Sequence, residues 1–317
     1  MESRYDAIIL GAGMSGLALA ARLRKQNKSF VILEKSGGVG GRLATRRAPD
    51  CTFDHGAQFI KNRHGDEAIL RNTFGTENLG QVWFSQNDCD YIVFPKGMTQ
   101  LPKSVMRPEE IRLNEKVVLL ESGQDLCTIH CESGVLYTAK KVYLTCPLPQ
   151  TVTLLKNSHI SFPAELENIE YASALVGLFR VHSESSRIIN FSYQQDYSLN
   201  IFSISNQLAK GVSQNLAFTA VMQPSWSKDH FENDDAKTEQ AIAQFFTQAL
   251  RDIGTGESFT IVSSQLKKWR YSHPLTIAQT PFQILPTDSK ICLLGDAFGG
   301  GNIHGALRSA LAVPLDS

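Results

Sequence analysis

Apolar residues along this chain follow two rhythms: short unbroken runs near the ends and helical spacing in the middle. Tyr5 to Leu10, Phe30-Val31-Ile32-Leu33, Lys141 to Thr145 and Ile291-Cys292-Leu293-Leu294 are runs of strand length. Such runs read as strands buried on both faces, as in a parallel sheet. Leu17 to Arg24 reads as a helix crossing between the first two. Ile111 to Val117 reads as a further strand, and Cys127 to Cys131 with Val135 to Thr138 as a hairpin around Ser133-Gly134. Farther on, Leu175 to Val181, Asn200 to Ile204 and Leu216 to Val221 have strand character. Ile242, Phe245, Phe246, Ala249 and Leu250 recur at i, i+3, i+4, i+7 and i+8, which predicts an amphipathic helix over 236–252. The pattern is that of an α/β chain without internal repeats.

Chemistry enters at the first turn. Gly11-Ala12-Gly13-Met14-Ser15-Gly16 joins the first strand to its helix. Gly11 permits the turn, Gly13 lets backbone amides approach a pyrophosphate, and Gly16 lets helix and strand pack closely. The helix dipole adds to the amides in favouring an anion there. Glu34 ends the next strand, at about the 20-residue spacing where an acid accepts hydrogen bonds from the ribose hydroxyls of an adenosine. A second glycine turn, Gly37-Gly38-Val39-Gly40-Gly41, then leads to Arg42, whose guanidinium can fork onto phosphate oxygens. Far downstream, Gly295-Asp296 and Gly299-Gly300-Gly301 follow the last buried run. Asp296 is placed to accept from a ribityl hydroxyl, which points to FAD rather than NAD.

These segments resemble the FAD-dependent amine oxidase superfamily and, within it, the renalase-type flavoproteins. The likeness is carried by Gly41 to Arg47, by Phe53-Asp54-His55-Gly56-Ala57-Gln58-Phe59, by Pro95-Lys96-Gly97-Met98 and by Pro147-Leu148-Pro149-Gln150. Trp226-Ser227, Lys268-Trp269-Arg270-Tyr271 and Gly295-Asp296 complete it. The resemblance implies a discontinuous Rossmann-type FAD-binding domain from 1–60, 95–150 and 270–317. A second, α+β substrate domain from 61–94 and 151–269 would roof the flavin, an architecture similar to amine oxidases and p-hydroxybenzoate hydroxylase. It further implies cofactor contacts at Gly11, Gly13, Ser15, Gly16, Glu34, Lys35, Gly41, Arg42, Ala57, Gln58, Val117, Gly295, Asp296 and Ile303, with Val117 pairing its backbone to the adenine edge. The FAD would be held noncovalently.

Four residues are candidates near the chemistry. The Gln58 amide would bond the edge of the flavin ring, or serve only in a turn. Trp269 would wall the pocket, or be core. Arg270 would anchor a phosphate, or tie the flavin lobe to the roof. His304, in the first turn of a helix starting near Asn302, would add positive charge beside the flavin pyrimidine, or simply pack. His230 is expected at a helix start away from the flavin. The closing helix, His304 to Ala312, is short, and Val313-Pro314 ends it. Residues 187–214 carry no family signature.

Composition narrows the setting. The chain has 317 residues, 42% of them hydrophobic, enough for more than one lobe. Acidic and basic residues balance at 31 each, so neither nucleic acid nor an anionic membrane is an expected partner. No run approaches the ~20 apolar residues of a spanning helix, and the expected location is cytoplasmic. The six cysteines form no zinc pair and no C-x-x-C; Cys127 and Cys131 lie on one face of a strand, ~13 Å apart. No metal site is expected. The resemblance implies oxidation of dihydronicotinamide isomers, the 2- or 6-dihydro forms of NAD(P), with molecular oxygen reoxidising the flavin. Two alternatives remain: an amine or polyamine oxidase with a small amine substrate, and an FAD-binding protein without turnover.

Overall fold

The computed structural model describes residues 3–63, 66–75 and 80–315. Its largest sheet is built on the strand Ser3–Leu10. Phe30–Glu34 and Leu136–Leu144 flank that strand in parallel; Ile111–Leu113 extends one side, and Asp288–Leu293 with antiparallel Gln283–Leu285 the other. Every residue of Phe30–Glu34 is buried, because both faces are covered. Ile9 and Ile32 face the helix Met14–Lys25 and the closing helix Ile303–Ala312, whereas Ile8, Val31, Val142 and Leu293 face the helix Leu148–Asn157. That split follows from side chains alternating across a strand.

Two expectations change at this sheet. The hairpin arm at 135–138 and the parallel strand at 141–145 are one strand, Leu136–Leu144. Its first half pairs antiparallel with Cys127–Cys131, its second half parallel with Asp288–Leu293, and its opposite edge with Ser3–Leu10. No turn residue interrupts it, and Lys140 simply reaches out to Asp6 at 2.8 Å. Conversely, the expected strand 111–117 is two. Asn114 takes φ 57°, a left-handed conformation that asparagine tolerates, and separates Ile111–Leu113 from Val117–Ser122.

The roof is a five-stranded antiparallel sheet in the order Tyr193–Gln195, Ile201–Asn206, Ala217–Met222, Tyr171–Ser183, Phe259–Pro274. The helix Asp235–Ile253 covers one face, packing Ile242, Phe246, Ala249 and Leu250 against Leu175, Phe179 and Phe218. Gly177 lets it come close: a Cβ there would lie 2.5 Å from the Phe179 ring and 2.8 Å from Ile242. On the other face Ala174, Val176, Leu178 and Ala217 receive Cys51 and Phe53, so the segment around residues 51–58 runs directly beneath the roof. A small sheet, Ile60–Arg63, Cys89–Val93 and Gln81–Gln86, stands beside it.

The helix Asp66–Phe74, expected in the substrate lobe, buries Leu70 in the core of Met14–Lys25. Its partners are therefore those of the first sheet. No helix among the described residues is long and apolar enough to cross a membrane.

Candidate functional site

The glycine turn has the geometry its sequence demands. Gly11 has φ 108°, and its amide donates to Leu33 O at 2.9 Å. A Cβ on Gly16 would sit 2.1 Å from Gly11 O, so only glycine closes this turn. Gly13 caps the helix Met14–Lys25, and no heavy atom lies within 4 Å of where its Cβ would be. Ser15 Oγ, in the first turn of that helix, is buried and without a hydrogen-bond partner. An orphaned hydroxyl beside open space at a helix N-terminus fits a phosphate oxygen. Gly41, at φ 55°, folds the second glycine turn back so that its Cβ position lies 3.5 Å from Gly13 Cα, and Gly40 N donates to Ala12 O at 2.8 Å.

Glu34 lies at the end of its strand, 8% exposed. Oε2 accepts from Ala12 N at 2.8 Å, and Oε1 accepts from Ser36 N at 2.9 Å and Ser36 Oγ at 2.7 Å. Three of its roughly four acceptor positions are thus in use. It can take one ribose hydroxyl directly, and a second only where Ser36 Oγ now donates. Lys35 points outward and bonds Gln150 Oε1 at 3.1 Å. Val117 opens its strand and is half-buried; the residues that bond the Glu34 segment are Asn114, through Ser36 O, and Glu115, through Glu34 O.

The two ends of the chain meet at Asp296, 6% exposed. Arg42 Nη1 donates to Asp296 Oδ2 at 2.6 Å and to Ser272 O at 3.1 Å, and Tyr171 Oη donates to Asp296 Oδ1 at 3.1 Å. Burial works against the Arg42 charge, but the Asp296 bond outweighs it and the guanidinium holds its proton more tightly than usual. Burial, and then the Asp296 carboxylate, raise the Tyr171 hydroxyl, so it remains a donor. Both bonds come from Nη1, so the Nη2 and Nε donors of the expected fork onto pyrophosphate are not spent on Asp296. Gly295, at φ 144°, presents the aspartate and donates to Ser309 Oγ at 2.9 Å.

Beneath the roof, the Gln58 amide is saturated. Nε2 donates to Asp54 O at 2.7 Å and Gly56 O at 3.2 Å, while Oε1 accepts from Ser205 Oγ at 2.7 Å and Gln207 Nε2 at 3.2 Å. The side chain has no group left for a heterocycle edge, so its expected ring contact gives way to fastening residues 54–58 to the roof. Ala57 stays close to the second turn, its amide donating to Arg42 O at 2.9 Å. Asp54 is the node of this network. Both it and Lys210 have fully buried side chains, and they pair at 2.6 Å; Asp54 Oδ1 also accepts from Thr45 Oγ1 and Met98 N. Breaking such a buried pair from one side costs about 3–5 kcal/mol.

Trp269 stacks on His55, ring centroids 5.4 Å apart and planes 22° apart, and its Nε1 donates to His55 O at 2.7 Å. Trp269 thus packs the roof strand onto the segment beneath it, beside the Cys51–Phe53 cluster. Burial, and then the charge of Lys267, push the His55 imidazole down to about 4, so this platform is neutral at physiological pH. Arg270 projects from the opposite face of the same strand, exposed, to Glu232 at 2.7 Å and over the Phe231 ring. It touches neither the flavin lobe nor the cofactor turn, which corrects both of its expected roles.

The closing helix starts as expected, with Asn302 Oδ1 accepting from Gly305 N at 2.8 Å. Ile303 is half-buried against the first core. His304 is 5% exposed; Nε2 donates to Lys61 O at 2.8 Å and Nδ1 has no partner. Its anchor is the strand Ile60–Arg63, a packing position between that strand and the helix. His230 ends the helix Pro224–His230 instead of starting it, stacked on Trp226. Sequence reasoning missed Tyr171, His55, Lys267 and the Asp54–Lys210 pair. Asp54 and His55 lay inside a family motif; Lys210 had no signal at all.

Comparison with known proteins agrees with this geometry. The family described as NAD(P)-binding Rossmann-like domain matches residues 9–72, and the family described as flavin containing amine oxidoreductase matches residues 68–313. Renalase of Mus musculus is 24% identical, covering 96% of this chain and 96% of that protein. A solved putative protoporphyrinogen oxidase from Exiguobacterium sp. 255-15 superposes with a TM-score of 0.70 at 13% identity, over 98% of this chain and 97% of that one. Putrescine oxidase bound to putrescine superposes with a TM-score of 0.71 at 13% identity, over 98% of each chain.

Proposed function

The chain belongs to the flavin containing amine oxidoreductase family, and from that premise we propose that this FAD-dependent oxidoreductase oxidises the 2- or 6-dihydro isomers of NAD(P) to NAD(P)+. Supporting the reading is the flat, neutral His55–Trp269 platform beside the segment Gly56-Ala57, in a chain that matches a renalase along its length. Bound FAD would supply a hydride acceptor at N5, with oxygen as the final acceptor and hydrogen peroxide as product. The chain's own residues do the positioning. Gly13, Ser15 and Glu34 would hold the pyrophosphate and adenosine ribose. Asp296, oriented by Arg42 and Tyr171, would accept from the ribityl chain, and the N-terminus of Ile303–Ala312 favours negative charge in front of it. No general base is required, because a dihydronicotinamide gives up hydride from a C–H bond already weakened by the adjacent nitrogen. The lobes would be divided as the sequence reading has them, with the helix Asp66–Phe74 moved to the FAD lobe.

The amine alternative needs a carboxylate free to meet an ammonium group. The acids on the segment beneath the roof, Asp50 and Asp54, are engaged by Arg180 and Lys210. Under anaerobic conditions the flavin should bleach within seconds on adding 2- or 6-dihydro NAD(P), and far more slowly with 4-dihydro NADH or with amines, since the reacting carbon must lie ~3–3.5 Å from N5. Bleaching by spermine or benzylamine and not by the dihydro isomers would replace this reading with the amine oxidase one.

A further inference from the structure

The strand Phe259–Pro274 presents alternate residues to the segment beneath it. Ser264, Leu266, Lys268 and Arg270 face the helical side: Ser264 bonds Glu239, Lys268 bonds Asp235, Arg270 bonds Glu232, and Leu266 packs in that core. Lys267 and Trp269 therefore share the opposite face, the one that stacks on His55. From below, the two-stranded ribbon Thr45–Arg47 and Thr52–Asp54 pairs Arg46 directly with Phe53. Cross-strand partners project to the same side of a ribbon. Phe53 packs into the roof core, so Arg46 stands on the roof-facing side, exposed, next along from His55.

Two cations thus flank one stacked pair of rings. Among the described residues neither Arg46 nor Lys267 is paired with a carboxylate, while the acids on the adjoining segment are already taken: Asp50 by Arg180 at 2.6 Å and Asp54 by Lys210 at 2.6 Å. What distinguishes Arg46 and Lys267 is their place, on either side of a neutral aromatic platform whose neighbouring acids are already engaged. We propose that Arg46 and Lys267 form an anion subsite that takes the phosphate groups of the substrate while its ring lies toward the His55–Trp269 wall. The subsite makes this a nucleotide-handling enzyme rather than one for free nicotinamides or for cationic amines, which the same two charges would repel. Because His55 stays neutral, the positive charge is confined to the phosphate end and the platform remains apolar for the ring. This subsite is separate from the pyrophosphate cradle at Gly11 to Gly16, which is occupied by FAD in the working enzyme.

The inference rests on the dihydronicotinamide reading, and its test is chosen to separate the two. NAD+ binding to FAD-loaded protein would be followed through the flavin absorbance, with N1-methylnicotinamide as the same ring without phosphate. Wild-type protein should bind NAD+ more weakly as salt rises, since screening weakens exposed charge pairs. The R46Q/K267Q variant should lose about tenfold or more in NAD+ affinity and most of the salt dependence, as expected when phosphate contacts are removed. N1-methylnicotinamide should bind both proteins within about twofold. Unchanged NAD+ affinity in the variant, salt-indifferent binding, or wild-type protein that does not bind NAD+ would each overturn the subsite. If the affinity falls as expected but no dihydro isomer bleaches the flavin, the subsite stands and the proposed reaction fails.

Discussion

Trp269 and Arg270 are chain neighbours inside one family-like segment, yet the first faces the site and the second faces solvent. The strand's period of two decides this, and only a placed strand says which parity points inward. His55 is a similar case. Its proton affinity is set by burial and by Lys267, neither visible in the residues around it. Its folded value, about 4, lies below the ordinary 6.5, so the unfolded chain binds the proton more readily. The stability this contributes is complete above about pH 6.5 and is lost as pH falls towards 4. Unfolding free energies from urea titrations across that range should decline by roughly 1–3 kcal/mol more in wild type than in His55→Gln. Parallel profiles for the two proteins would show that His55 titrates normally.

At the scale of elements, the closing helix is the least self-sufficient. It runs only from Ile303 to Ala312, and no basic residue lies in its last turn. Its C-terminal carbonyls are met from outside: Arg22 Nη1, on the helix Met14–Lys25, donates to Ala310 O at 2.6 Å and to Val313 O at 2.8 Å. A charged donor at a helix C-terminus both satisfies orphan carbonyls and complements the dipole. Arg22→Ala should therefore destabilise the protein by about 1–2 kcal/mol and raise amide exchange selectively in residues 303–312, with FAD held less tightly. Exchange that rises uniformly over the first sheet would instead mark a general loss of packing. The helix was legible in sequence from Asn302 and Val313-Pro314; its external cap was not, because Arg22 is 288 positions from Ala310. The same distinction explains Leu136–Leu144. The sequence reading ended a hairpin arm at Thr138 and began a parallel strand at Lys141, and the pairing of both halves on one edge made them one.

At the scale of the whole molecule, the chain closes on itself through Asp296, Arg42 and Tyr171. Arg42 and Asp296 are 254 positions apart, and Tyr171 comes from the first strand of the roof. One carboxylate thus joins the second glycine turn, the roof and the C-terminal segment where FAD is to lie. Asp296→Ala leaves the half-buried Arg42 guanidinium without its counter-ion, so both FAD retention and the anchoring of the last segment should suffer. Gel filtration should strip the variant of flavin under conditions that leave wild type loaded, and limited proteolysis should cut within 295–315 earlier. A variant that keeps full flavin occupancy would remove Asp296 from the cofactor site.

The sequence by itself determined what depends on short-range chemistry: the glycine turn with its strand and helix, the acid at Glu34, the aspartate after the last buried strand, and the amphipathic helix over the roof. Each is dictated by backbone sterics or by periodicity within a few residues, and the FAD-dependent family could be read from them. Tertiary structure alone decided which of the polar residues were spent on holding the fold. Gln58, a candidate near the chemistry, and Asp54 share one family-like motif, and both are engaged by partners more than 140 positions away, Ser205, Gln207 and Lys210. Burial makes an unpaired polar group costly, and the pairs available are set by which segments the packed sheets bring together.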